Sequence, residues 1–211
     1  KLFEKDWTSL WGLLGARYKT SSLKEFASQL YQGETFDQRL VPTMVTSYNL
    51  DKQRPEFFKS WKNKWEQDKI FLTRDVAVST ACAPTYYAPY SMSPINPAYA
   101  DQRYNLVDGG MIVNTPTECL MAEAKKLFRH AKNFEIVSLG TGLFDLPISY
   151  SSLKSAGILT WAAKLPGIFI ANQNTITDYL MRQEGGSSYS RWSPLIPHEE
   201  SDLDETSPRH L

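Results

Sequence analysis

Residues 104 to 142 constrain the fold of this chain more tightly than any other stretch. An apolar segment, YNLV (104 to 107), runs into Asp108-Gly109-Gly110, then into Thr115-Pro116-Thr117-Glu118. A second apolar segment, FEIVSL (134 to 139), follows and ends in Gly140-Thr141-Gly142. The Thr-x-x-Glu spacing is a capping box, and the proline inside it sits at the first helical position. It predicts a helix with Leu120, Ala124, Leu127 and Phe128 on its apolar side. Lys125, Lys126, Arg129 and His130 cluster at its far end, where positive charge suits the helix dipole. Strand, turn, helix, strand is the βαβ pattern, so an α/β fold is expected.

The flanking sequence fits around this unit. Ser22-Leu23-Lys24-Glu25 has the form of another capping box, with Leu23, Phe26, Ala27, Leu30 and Tyr31 at helical spacing and Gly33 as terminator. VPTMVTSYNL (41 to 50) and EFFKSW (56 to 61), joined by DKQRP, read as a strand hairpin. LTRDVAVSTACA (72 to 83) predicts a small-residue helix with Thr73 as N-cap, stopped by Pro84. The prolines at 84, 89, 94 and 97 make the next stretch an irregular loop with an apolar surface. The chain to about residue 183 reads as helical, with TITDYLMRQ its clearest piece, and GGSSYSRW marks an exit from it.

Length and composition favour a single domain over residues 1 to 211. The chain is 42% apolar and 13% aromatic, enough for one sizeable core. Basic and acidic residues number 23 each, so bulk charge gives no nucleic-acid footprint. Cys82 and Cys119 lack the spacing of a zinc site or a disulfide framework, which favours a reducing compartment and a cytoplasmic location. Residues 1 to 14 carry Glu4 and Asp6 and do not read as a signal peptide. The longest apolar run, 156 to 171, is broken by Lys164, Pro166 and Gly167 and falls short of the roughly 20 residues that span a bilayer. Ser207-Pro208 is a helix-start signal with three residues after it, which predicts that the parent polypeptide continues.

Asp108 is the leading candidate for chemistry. It sits at the C-terminal end of an expected strand, the edge at which ligand sites assemble in α/β sheets, although Asp-Gly is also a common turn pair. Gly140-Thr141-Gly142 lacks the third glycine of a dinucleotide fingerprint and the Lys of a P-loop, so a tight strand exit competes with a nucleotide site there. His130, His198 and His210 have no acidic or cysteine partner at ligand spacing, and no metal or cofactor is implied. No Gly-x-Ser-x-Gly elbow is present, because the serines of GGSSY (185 to 189) follow no strand and precede no glycine.

Three segments in order resemble one family, the patatin-like lipid acyl hydrolases. STACAPTYYAPY (79 to 90) resembles its small-residue helix and following Pro-Thr-Tyr segment, and NLVDGGMIVNTP (105 to 116) is similar to its Asp-Gly-Gly block. EIVSLGTG (135 to 142) resembles its Leu-Gly-Thr-Gly strand. Weaker likenesses at 40 to 61 and toward the C-terminus extend the similarity over nearly the whole chain.

The resemblance implies a three-layer αβα sheet and a Ser-Asp dyad that cleaves carboxylic esters of phospholipids or related lipids. Asp108 takes the place of the aspartate, supported by Gly109 and Gly110. The first strand, the glycine-rich oxyanion loop and the serine elbow are expected ahead of Lys1, so the sheet is expected to be incomplete and the chain inactive alone. Tyr86, Tyr87, Tyr90, Met92, Trp161 and Ile168 could line an acyl pocket or meet a membrane surface, or else serve as core and helix-packing residues. The competing function is a catalytically inactive patatin-like domain that binds lipid or a partner protein, and a nucleotide-binding domain is a more distant alternative.

Overall fold

The hairpin read from residues 41 to 61 is the frame on which the first part of the molecule is built. In a computed structural model that describes residues 2–6, 15–62, 66–142, 149–184 and 187–196, the chain is mixed α/β. It divides into two compact units, residues 1–114 and 115–211. The expectations attached to residues 7–14, to His198 and His210, and to Ser207-Pro208 lie outside the described residues.

In the first unit, β1 (Met44–Asn49) and β2 (Arg54–Lys59) pair antiparallel, with Met44 opposite Lys59 and Asn49 opposite Arg54. The connection closes as the Lys52 backbone N–H donates to the Asn49 side-chain oxygen at 3.0 Å. β4 (Tyr104–Asp108) lies antiparallel on the other side of β1, with Ser47 opposite Asp108. A three-residue strand within the proline-rich stretch, β3 (Tyr90–Met92), completes the order β2-β1-β4-β3. Sequence reading left β3 as loop because Pro89 and Pro94 bracket it, and proline is tolerated beside a short edge strand.

Two helices accompany this sheet. α1 (Thr20–Tyr31) begins three residues earlier than its capping-box reading placed it. Lys19 occupies the cap, and Ser22 instead lies buried inside the first turn, its hydroxyl donating to Glu4 Oε2 at 3.0 Å. The far end matches the sequence signal: the backbone turns left-handed at Gln32 and Gly33, the second of which carries no Cβ penalty. α2 (Thr73–Ala81) packs against α1, β1 and β4, and Thr73 is its first helical residue rather than its cap.

The core of this unit centres on Phe71, Val76, Val78, Cys82 and Leu106. Phe71 meets Phe58 and Tyr104 edge-on, with ring centroids 5.2 and 5.1 Å apart. Such pairs add to what simple burial contributes.

The second unit contains α4 (Thr117–Leu127), β5 (Phe134–Leu139), α5 (Tyr150–Leu153), α6 (Ile158–Gln183) and β6 (Ser187–Trp192). β5 and β6 pair parallel, with Phe134 opposite Ser187 and Leu139 opposite Trp192. The expected βαβ unit therefore closes at β6, three elements after β5, where the sequence placed its end. The strand after α4 finds its parallel partner in β6, and the 26-residue α6 lies in the connection between them. Thr115 also departs from its capping role: its hydroxyl bonds to Asn174 of α6, and Pro116 takes the cap position of α4.

Replacing Phe71 by alanine removes both edge-to-face contacts and leaves a void beside fully buried neighbours. The variant is expected to lose about 3–5 kcal/mol of unfolding free energy, measured as a shift of the urea midpoint at constant slope.

Candidate active site

The site grows out of the alternation of side chains along β4. Tyr104, Leu106 and Asp108 share one face because successive strand residues point to opposite sides. The first two are buried at 4% and 0% exposure, and Asp108, where the strand stops, is half-buried. Its backbone N–H donates to the carbonyl of Cys82, just beyond α2, at 3.0 Å. Its side-chain Oδ1 accepts the Gly110 N–H at 2.6 Å. Among the described residues Oδ2 accepts no hydrogen bond, so Oδ1 is the oxygen that the turn fixes.

Two effects compete on that carboxyl group. Burial raises its pKa above the ordinary 3.8, and the Gly110 amide, which favours the charged form, pulls it back. The net shift is upward. A carboxylate more basic than a solvated one is suited to accept a proton.

Among the described residues, the thiol and two hydroxyls beside this strand end are engaged elsewhere or held protonated. Burial, followed by the neighbouring Asp108 charge, pushes the Cys82 thiol up to about 12, which keeps it protonated. Ser47 and Ser79 bond to each other at 3.0 Å and are 1% and 0% exposed, and the Ser79 hydroxyl also reaches the Val76 carbonyl at 2.8 Å.

Gly109 and Gly110 support the aspartate in different ways. A Cβ on Gly109 would stand 2.2 Å from the Thr46 carbonyl oxygen, so only glycine lets this turn lie against β1. On Gly110 it would meet the ends of two side chains, Asn114 Oδ1 at 2.9 Å and Asp108 Oδ1 at 3.1 Å. From Gly110 the chain enters a single helical turn, α3 (Gly110–Val113), which sequence reading did not separate from the Asp-Gly-Gly turn.

Thr46 and Thr80 were also missed. Thr80 Oγ1 donates to the Thr46 carbonyl at 2.7 Å, and Thr46 Oγ1 donates to the Val113 carbonyl at 3.4 Å, linking α2, β1 and α3 behind the turn. Hydroxyls in a strand and a helix carry no spacing signal that would have revealed them.

The remaining candidates fall in both units. Tyr87, Tyr90 and Met92 belong to the buried core, and Tyr86 packs against it. The Tyr90 hydroxyl donates to Asp75 Oδ1 at 2.6 Å, and burial raises its pKa. Trp161 is exposed and Ile168 half-buried, both on α6. At the Gly140-Thr141-Gly142 turn, Gly140 N–H donates to the Trp192 carbonyl at 2.8 Å, and Ile196 occupies the space beside Gly142. That turn is a packed strand exit.

Two predictions follow from this geometry. A carboxyl whose pKa is raised by folding gives its full stability below the unfolded value and loses it as pH rises through the folded one. Asp108→Asn should therefore melt higher than the parent at neutral pH, with the margin narrowing as pH falls toward 3.8. Thermal melts across that range check it, and a margin independent of pH would contradict it. The glycines should separate in the same assay. Gly109→Ala drives a methyl into backbone and should cost at least about 1–3 kcal/mol, whereas Gly110→Ala should fold and displace only the Asp108 and Asn114 side chains.

With the geometry established, comparison with known proteins gives a consistent result. No protein-family model matches the chain. It is similar to patatin-like protein 1 of Arabidopsis thaliana, 26% identical over 163 residues that cover 71% of the chain and 39% of that protein. It is also similar to the cGAMP-activated phospholipase of Pseudomonas aeruginosa, 25% identical over 202 residues, covering 89% of the chain and 58% of the relative. The cGAMP-activated phospholipase of Vibrio cholerae is 27% identical over 202 residues, covering 88% and 55%. The chain spans between 39% and 58% of the length of these three relatives. At low identity, they support a likeness to the patatin-like phospholipases.

Proposed function

We propose that this chain contributes the aspartate of a Ser-Asp dyad to a lipid acyl hydrolase of phospholipase A or lysophospholipase type, built on a three-layer αβα sheet. The observation that carries the reading is Asp108 itself, a strand-end carboxylate with Oδ1 held by Gly110 and Oδ2 without a hydrogen bond among the described residues. The ordered motifs and the phospholipase relatives supply the substrate class.

In this mechanism Oδ2 accepts the proton of a serine hydroxyl as that oxygen attacks the ester carbonyl, and the alcohol leaves to give an acyl-serine. The same oxygen then takes a proton from water, whose attack releases the fatty acid and restores the serine. The serine elbow and the oxyanion donors belong to sequence ahead of Lys1 in this reading. In this reading, a protein deprived of one oxyanion donor turns over ester about 100-fold or more slowly.

Peripheral contact with lipid and a cytoplasmic setting are part of the proposal. The spacing of Cys82 and Cys119, which fits neither a zinc site nor a disulfide framework, suits a reducing compartment.

The test uses the full-length protein that carries this chain, with a phospholipid substrate. Two relatives are named for activation by cGAMP, so turnover is measured with and without that dinucleotide. Asp108→Asn should lower ester turnover at least about 100-fold while the melting transition persists. A fluorophosphonate probe should label one upstream serine. Turnover retained in Asp108→Asn would reject Asp108 as the base. Absence of a Gly-x-Ser-x-Gly elbow upstream would favour an inactive lipid- or partner-binding domain.

A further inference from the structure

The first half of α6 is a helix in the wrong solvent. From Ile158 to Asn172 its only polar side chains are Thr160, Lys164 and Asn172, and a helix this apolar around its circumference normally lies buried. Here Ile158 is 85% exposed, Leu159 84% and Phe169 57%, and Trp161, Leu165 and Ile170 are also exposed. The second half also exposes Ile176, Tyr179 and Leu180, but it is anchored and carries charge of both signs. Thr177 and Met181 are buried, α4 packs against the helix, and Arg182 pairs with Asp178 at 2.8 Å.

Charge identifies what the exposed half meets. Between Asp145 and Asp178 the sequence contains no acidic residue, and its only charged side chains are Lys154 and Lys164. Both lysines are exposed, and neither forms an ion pair among the described residues. Tyr150, 83% exposed, and Trp161 add aromatic groups of the kind that settle at headgroup depth. Thr160 and Lys164 lie four residues apart on one narrow stripe, which leaves a broad apolar face.

Two features limit the depth of insertion. No described helix is long and apolar enough to cross a membrane. Pro166, inside α6, has no N–H to give the Ala162 carbonyl, and a carbonyl left without its helical partner needs water or a headgroup.

We infer that the N-terminal half of α6 is a docking element that lies in the headgroup region of an anionic lipid surface, with Leu159, Trp161, Leu165 and Phe169 inserted and Lys154 and Lys164 against lipid phosphates. The inference rests on the proposed reading only in taking membrane lipid as the substrate. It adds which element makes contact and which lipid charge it selects. An interfacial helix of this kind gains from buried apolar area and from attraction to anionic headgroups together. A second copy of the chain would cover the apolar face but would leave the two lysines and the acid-free segment without a role.

The experiment is co-sedimentation of the full-length protein with phosphatidylcholine vesicles, with and without phosphatidylglycerol. Binding should be stronger to the phosphatidylglycerol vesicles. Leu159→Asp with Phe169→Asp should weaken it at least about 10-fold. Lys154→Gln with Lys164→Gln should remove the preference for anionic lipid, and Leu40→Asp, at a fully exposed position of the other unit, should change nothing. In the unsubstituted protein, brominated lipid should quench fluorescence that is absent in Trp161→Phe.

Binding unaffected by the α6 substitutions, no binding to either vesicle, or a dimer that Leu159→Asp dissociates would each overturn the inference. Turnover of a short-chain soluble ester keeps the two proposals apart. If turnover persists and vesicles do not bind, docking fails alone; if vesicles bind and no ester is cleaved, the hydrolase reading fails alone.

Discussion

The contact between Gly109 and the carbonyl of Thr46 is the point on which the geometry of this site depends. β4 delivers Asp108 to the end of its strand, but the direction of the chain beyond it is set by how closely the next residue approaches β1. With no side chain at 109, the turn lies flat on the sheet, and Gly110 follows with its N–H aimed at the aspartate. The hydrogen bonds from Thr80 to Thr46 and from Thr46 to Val113 then fix the strand and the short α3 on either side of that contact. A carboxylate in this position is held by the backbone, and its precision is inherited from the sheet.

The same arrangement settles a conflict between stability and chemistry. A carboxyl at the end of a row that begins with Tyr104 and Leu106 is partly removed from water, which opposes its ionisation. One amide hydrogen bond returns part of what burial removes. Both effects arise from the last residue of β4 and the turn after it, so the basicity of Asp108 is a local property of a few backbone atoms. Functional groups kept at a cost to the fold are common where reactivity is required.

How much of this was legible in the sequence depends on the range over which each signal acts. The hairpin, α1, α2, α4 and the strand end at Asp108 were readable because apolar alternation, helical spacing and glycine-proline punctuation are local. The caps at Ser22 and Thr115 were misread for a non-local reason. Both hydroxyls found partners distant in sequence, Glu4 and Asn174, and a short motif cannot announce such competition. Partner choice among strands was hidden in the same way. FEIVSL reads as a strand from its own residues, but its pairing with β6 depends on a segment about 50 residues away that looked like a polar exit. The aromatic residues of the 84–92 loop had the composition of a pocket lining, and only three-dimensional packing placed Tyr87, Tyr90 and Met92 in the core.

β2 is the outermost strand of the first unit's sheet among the described residues, and its composition bears on how the folded protein behaves when concentrated. An outer strand presents a row of unpaired donors and acceptors that can recruit another chain. Here Pro55 has no N–H to offer, and Arg54 and Lys59 place charge at the two ends of the strand. The opposite edge is β3, only three residues long. Neither border offers a long regular ladder, so the sheet is poorly suited to template its own extension from one molecule to the next.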